Sequence, residues 1–448
     1  MNPIRQWSRR DFLRALAVAL GGVTVGETVR RCFQGVAPIA QGDFTPTART
    51  YLPLVMRSEP TSTPPPTHTP APPTNTPTSP PTSPPTNTPT SPPTSPPTNT
   101  PTPPPTHTPA PLTHTPTPWT PSPGTARVVH IHAPSATYWD GSSNYYYNYV
   151  NQSVVNDMVD RGVMALTGTS TRADAWRALI PNYSGGIVAI KVNFNNSQLG
   201  NLINALIHPV NAVIQGLLDI GVPAQNIRIY DATRPIPTYF RNGCLYTGVQ
   251  FYDVNSASFP VQVSFSRPGI PAEYLASAVV DAAYLINVPI MKGHSITGVT
   301  LGFKNHLGTI NNPLGLHEYV APMWGQYYDP NYNPMVDIYL TSHIRHKTVL
   351  VLGDGLFGSR DNTNSVPTRW TTFGNQFPNS LFFARDPVAA DCVMYDLLAA
   401  EGCPYAWDEA TDHLRLAAAA GLGVYESGDP WGSGYDLIDY VKITIHAD

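Results

Sequence analysis

Proline closes one stretch of this chain to any helix or sheet: 27 of the 66 residues from Glu59 to Gly124 are proline. Proline has no amide donor for a helix or a sheet ladder, and its ring fixes φ near −65°. The stretch also repeats itself. The twelve-residue unit Thr74-Asn-Thr-Pro-Thr-Ser-Pro-Pro-Thr-Ser-Pro-Pro85 recurs from Thr86 to Pro97. Polyproline II at ~3.1 Å per residue would carry it to roughly 200 Å when fully extended. Thr and Ser between the prolines suit mucin-like O-glycosylation, so residues 59–124 read as a disordered Pro/Thr-rich stalk. His68, His107 and His114 within it read as solvated rather than as a metal tract.

What remains after the stalk is 125–448, 324 residues, enough for one large α/β domain or two lobes. Charge has to be read on that part alone. It holds 18 basic against 26 acidic side chains, whereas residues 1–58 hold eight Arg and three acids. An acidic balance gives no broad basic surface for a phosphate backbone, so nucleic acid is excluded as the expected partner.

The N-terminus reads Ser8-Arg9-Arg10-Asp11-Phe12-Leu13-Arg14, followed by a Gly-broken apolar run from Ala15 to Gly26. This resembles a twin-arginine export signal, departing from it only where Arg14 stands for Lys. The resemblance implies an exported, extracytoplasmic protein, secreted or tethered at the cell surface, carried across already folded and often with its cofactor inserted. We therefore divide the chain into a signal region (1–40), a short segment of unassigned role (41–58), the stalk (59–124) and an α/β domain (125–448). Through the stalk, the cell wall or envelope becomes a candidate partner.

Cys32, Cys244, Cys392 and Cys403 form no C-x-x-C pair and no cluster-binding run, so no iron–sulfur cluster or zinc ribbon is expected. Cys392 and Cys403 could be bridged if the chain folds back after a helix.

Within 125–448, β-branched runs alternate with helical ones. Strands are expected at 128–132, 187–194, 227–231, 261–265, 284–288, 348–352, 381–384 and 441–445. Helices are expected at 154–163, 172–180, 202–220, 335–344, 388–400 and 409–420. The alternation predicts a mostly parallel sheet flanked by helices, with functional groups at the carboxyl ends of the strands.

Lysine usage points to the site. The chain has five Lys against 21 Arg, and three of the five sit in unusual settings. Lys191 lies in the apolar run Val188-Ala-Ile-Lys-Val-Asn193, Lys292 in Pro289-Ile-Met-Lys-Gly-His294, and Lys304 in Gly302-Phe-Lys-Asn305-His306-Leu-Gly308. A lysine among apolar residues must meet an anion or lose its proton, and either outcome suits anion binding or covalent work. We expect Lys191, Asn193, Lys292, Asn305, Asp231 and Arg234 to bind the anionic part of a ligand or cofactor. His294 and Lys304 are expected to carry proton transfer, with Asp354 orienting a base. His306 and Asp391 are candidate metal ligands, and His317-Glu318 is a weaker pair. Asp386-Pro387 reads first as a helix cap with proline at the first helical position. The ligand itself is expected to be an anionic small molecule, with a metal ion or metal-linked nucleotide as the candidate cofactor.

These residues also carry a family resemblance. Val188-Ala-Ile-Lys191-Val-Asn193, Asn287-Val-Pro289-Ile-Met-Lys292-Gly-His294, Phe303-Lys304-Asn305-His306-Leu-Gly308, Asp354-Gly355 and Arg385-Asp386-Pro-Val-Ala-Ala-Asp391 resemble, in this order, the motifs of the domain of unknown function 362 family. Many of its members add a Cys-rich iron–sulfur segment that this chain lacks, so the resemblance implies no electron-transfer role here.

A second likeness, to lactate racemase and its relatives, rests on Asp231-Ala-Thr-Arg234-Pro235 and on His294 ten residues before Lys304. It implies His294 as acid/base and Lys304 as the residue that bears a nickel-pincer nucleotide or binds its phosphate. The Gly-x-His-Arg that should follow Asp231 is absent, and only His317 could replace the missing metal-binding His.

A different class of function competes: a non-catalytic module that stacks Tyr145-Tyr146-Tyr147 or the aromatic stretch 324–332 on sugars. Neither G-x-S-x-G nor a G-x-x-x-x-G-K-[ST] loop occurs, which disfavours a serine hydrolase and a P-loop nucleotidase.

Overall fold

The computed structural model describes residues 126–446, apart from 143, 144, 198, 199 and 363. The expected signal region and stalk lie outside the described residues. Twelve strands follow in chain order: β1 (Ala126–His132), β2 (Ile187–Lys191), β3 (Ile227–Asp231), β4 (Gln250–Asp253), β5 (Val261–Gln262), β6 (Tyr274–Leu275), β7 (Ala282–Asn287), β8 (Ile290–His294), β9 (Gly298–Thr300), β10 (Thr348–Ser359), β11 (Ser380–Ala384) and β12 (Ile438–Thr444). All except the β5–β6 pair belong to one ten-stranded sheet. Its main path is β12-β1-β11-β10-β7-β2-β3-β4, with β8 pairing β10 and β9.

Every neighbour from β10 to β4 along that path is parallel, whereas β11 runs antiparallel to both β1 and β10. The expected mostly parallel α/β sandwich is therefore the observed one. Alternation along each strand assigns its side chains to two cores. Val188 and Ile190 of β2, Ile227 and Ile229 of β3, and Tyr284 and Ile286 of β7 face the helices Gln152–Thr167, Arg172–Leu179 and Ile207–Asp219. Ala189, Tyr230 and Leu285 face the helices Pro334–Leu340, Pro387–Ala400 and Asp412–Ala419.

Local sequence explains the helix bounds. Asn151 caps Gln152–Thr167, whose buried Val155, Met158, Val159 and Val163 share one face, and Gly168 ends the helix at φ 70°. Gly162 lets this helix lie against the sheet, since a Cβ there would stand 2.2 Å from the Phe383 ring. Asp386 accepts the Val388 and Ala389 amides at 2.9 Å each and caps Pro387–Ala400, the role expected for Asp386-Pro387.

Several expectations differ from the structure. The helix expected from 202 begins only at Ile207, because Asn204 is committed to side-chain bonds with the Asn196 backbone. The helix expected over 335–344 breaks at Thr341, whose ψ of 141° is extended. The strand expected over 261–265 shrinks to Val261–Gln262, off the main sheet. Cys392 and Cys403 are both buried free thiols, so the bridge considered for them is not formed. No helix among the described residues is long and apolar enough to cross a membrane.

Candidate anion-binding cleft

Chain order makes the cleft. From β2 the sheet grows through β3 and β4 on one side, then β7 is laid down on the other side of β2. The crevice beyond the carboxyl ends of β2 and β7 is thus a topological switch point, where open α/β sheets place their ligands. The last residues of these two strands, Lys191 and Asn287, are register partners, and Asp231 ends the adjoining β3.

A cleft of about 500 Å³ opens there, lined among others by Lys191, Asn193, Asp231, Arg234, His294, Lys304, Asn305 and His317. Lys191 is fully buried. Its Nζ donates to the Val192 carbonyl and lies 3.5 Å from Asp231 Oδ2 and 3.4 Å from Asn305 Oδ1. Asp231 in turn accepts the Phe194 amide at 2.9 Å and the Thr233 amide and hydroxyl at 3.2 and 3.1 Å, which fastens the loops leaving β2 and β3. Gly308 closes over this pair, and a Cβ there would come within 2.7 Å of Lys191 Nζ.

Lys304 and Asn305 sit on the short helix Gly302–Asn305, which is held from behind. Asp391 accepts the Gly302 and Phe303 amides at 2.8 and 3.0 Å. Asn287 donates to the Gly302 carbonyl at 3.0 Å and accepts from Asn305 at 2.7 Å. Asn305 Oδ1 receives Asn193 Nδ2 at 3.3 Å, and Asn193 Oδ1 receives Lys292 Nζ at 3.5 Å. Lys292 and His294 alternate on one face of β8, so the strand that hides Lys292 also presents His294 to the cleft.

Burial is the main cause of every resolved shift among these groups. It lowers Lys191, a change that Asp231 opposes. It lowers Lys292 to about 7, with help from the charge of Lys304, and lowers Lys304 to about 8. It also holds His294 well below its ordinary value, reinforced by Lys304 and Lys292. His317 falls to about 4 by burial, with Lys304 and Arg234 adding to it.

The Ile296 amide donates to His294 Nδ1 at 3.0 Å. A backbone N–H can only donate, so Nδ1 must be unprotonated and the neutral ring carries its proton on Nε2. His294 therefore presents Nε2–H, a hydrogen-bond and proton donor, to the cleft.

The remaining expected site residues stand elsewhere. Asp354 is buried within β10, accepts the Leu356 amide at 3.1 Å, and is pushed up to about 7 by burial. His306 is buried edge-on against Tyr339 at 5.2 Å, with Nδ1 3.3 Å from the Thr309 hydroxyl. Asp391 is spent on the two helix amides. Among the described residues no group of three or more His, Cys, Asp or Glu could hold a metal ion. Glu318 turns away from His317 to accept the Gln326 amide at 2.8 Å.

Tyr146 is buried in the core, whereas Tyr145, 43% exposed, stacks on Tyr147, which stacks on Tyr239 at 3.8 Å. Sequence reasoning passed over Asn287 as the hub, although a lone Asn ending an apolar run is a buried polar group in need of partners. It also passed over Asn311 and Asn312, loop residues with no local signal.

Comparison with known proteins follows from this geometry. Residues 188–396 match the family described as Domain of unknown function (DUF362). No curated protein matches the chain. Among solved structures it is similar to the lactate racemase apoprotein from Thermoanaerobacterium thermosaccharolyticum, at 13% identity and a TM-score of 0.32, over 62% of this chain and 56% of that one. It is also similar to a protein from Thermotoga maritima, at 9% identity and a TM-score of 0.29, over 55% of this chain and 58% of that one. The chain thus spans less than two thirds of either structure.

Proposed function

We propose, for this chain with its DUF362 domain over residues 188–396, that the cleft binds an anionic small molecule and performs proton chemistry on it. The observation that carries this reading is a charge imbalance. Lys191, Lys304 and Arg234 line the cleft with Lys292 directly behind, against the single lining carboxylate of Asp231. Among the described residues no hydrogen-bond or ion-pair partner reaches Lys304 Nζ. Lys304 and Arg234 are partly buried, and partly desolvated positive charge in excess of its counter-ions is costly, a cost that a bound carboxylate or phosphate relieves.

The chemistry follows from the same groups. With Lys304 brought to about 8, part of it is amine near neutral pH, so this lining side chain can accept or return a proton, while Lys292 lies behind the lining against Asn193. His294 Nε2–H supplies a fixed donor to an oxygen on which charge develops. The segment Ser8–Arg14 and the stalk support placing this activity outside the cytoplasm.

Calorimetric titration of the full chain with inorganic phosphate tests the binding. Lys304→Ala and Arg234→Ala should each weaken it at least about tenfold, the cost of a lost charge-assisted hydrogen bond. Unchanged affinity in both variants would overturn the reading. For export, Arg9→Lys together with Arg10→Lys should leave the chain in the cell interior on fractionation.

A further inference from the structure

The cationic floor accounts for only part of the cleft. Its rim is apolar: Val254, Phe259, Ile296, Pro313 and Leu314 line it together with the charged groups. Leu314 is 71% exposed and Val254 46% exposed, among the most open large apolar side chains in the described residues. Val254, Phe259, Ile296 and Leu314 belong to neither hydrophobic core and pack against neither. Four apolar side chains from three separate loops, claimed by no core, surround one opening. Scattered exposed apolar residues need no explanation, but convergence on a charged cleft does.

The rim is also fixed in place. Leu314 sits in the turn Pro313–Leu316, capped by Asn312, whose side chain accepts the Gly315 amide. The fully buried Glu273 accepts the Asn312 amide at 3.0 Å, and Asn311 accepts the Tyr274 amide at 2.6 Å. Leu314 is therefore held out over the cleft by a capped turn anchored to the buried Glu273, instead of collapsing onto the protein. A preformed site with an apolar wall and a few convergent polar groups is the usual design for a small organic ligand, and this volume suits one.

From this arrangement we infer that the ligand is an amphipathic anion: a carboxylate or phosphate head on the Lys191, Lys304 and Arg234 floor, joined to an apolar body that covers Leu314, Val254, Phe259 and Ile296. The inference rests on the anion-binding reading above and adds the chemical class of the rest of the ligand. A free polar anion such as phosphate would occupy the floor and leave the rim wet.

The test is a calorimetric series on the full chain with inorganic phosphate and with methyl, butyl and hexyl phosphate. Alkanoates of the same lengths decide between the two head groups. Affinity should rise with chain length by about three- to fourfold per methylene buried, the value of one CH₂ removed from water. In the double variant Leu314→Ser, Val254→Ser, both positions being exposed, that gradient should flatten while inorganic phosphate, which has no apolar body, binds as before. Phosphate binding with no chain-length gradient in the unaltered chain would overturn the inference and leave the anion site standing. A gradient that survives the double variant would overturn the assignment of the rim. Lys304→Ala should lower the affinity of every member of the series while keeping the gradient; affinities unaffected by it would instead overturn the cationic floor.

Discussion

Asn305 donates its side-chain amide to Asn287 Oδ1 at 2.7 Å, and this bond joins the helix that carries Lys304 to the end of β7. Asn287 also donates to the Gly302 carbonyl, so one buried side chain satisfies both ends of that helix. Asn287→Ala should orphan two buried polar groups at about 1–3 kcal/mol each. We expect a loss of ~2–6 kcal/mol in urea unfolding of the full chain, with weaker phosphate binding because Lys304 is no longer held. Unchanged stability would show that the hub does not support the helix.

Gly308 is fixed by its neighbours rather than by its backbone angle. A methyl group there would stand 2.7 Å from Lys191 Nζ and 3.1 Å from Asp231 Oδ1, so the buried ion pair must shift to admit it. Gly308→Ala should cost about 1–3 kcal/mol, as overpacking does. It should also abolish anion binding in calorimetry; full binding would place the loop farther from the pair than the structure does.

Anion affinity should depend on pH through the lysines. Lys292 and Lys304 are lowered to about 7 and 8, so both are ammonium below pH 6 and both amine above pH 9. Sulfate keeps its charge across that range, so its binding should weaken steadily as pH rises through the two values. Bound sulfate favours the charged forms, so titrations near pH 8 should show proton uptake, read from the dependence of the heat on buffer ionisation. Binding indifferent to pH between 6 and 9 would remove both lysines from the site.

Asp354 sets an opposite dependence on stability. Its folded value, pushed by burial from 3.8 to about 7, lies above its unfolded one. Between those values the folded state binds the extra proton, so this group stabilises the fold at low pH, and its contribution is lost as pH rises towards 7. The difference in unfolding free energy between the unaltered chain and Asp354→Asn should therefore change across pH 4–7 and be flat above. A flat difference throughout would show that Asp354 is not desolvated.

The His294 ring should hold its proton on Nε2 from pH 5 to 9, because the Ile296 amide occupies Nδ1. Long-range nitrogen–proton correlation spectra distinguish the two ring nitrogens. A protonated Nδ1 would show that the Ile296 amide does not set the tautomer.

Sequence alone determined the strands and helices whose apolar periods are local, the cap at Asp386, and the convergence of Lys191, Asp231, Arg234, His294 and Lys304 on one site. Lysines set in apolar runs advertise an unusual site because a buried ammonium always needs a partner or a lost proton. Only the tertiary structure decided which carboxylates belong to that site. Asp231, Asp354 and Asp391 all sit in apolar surroundings in the sequence. Asp231 lines the cleft, Asp354 stays within β10, and Asp391 is consumed by the Gly302 and Phe303 amides. The tautomer of His294 and the apolar rim were equally hidden, because each is made by residues from separate loops. A residue's own neighbours set its propensity and the cost of burying it. Which partner offsets that cost is a property of distance in space, and here the order in which strands join the sheet set those distances.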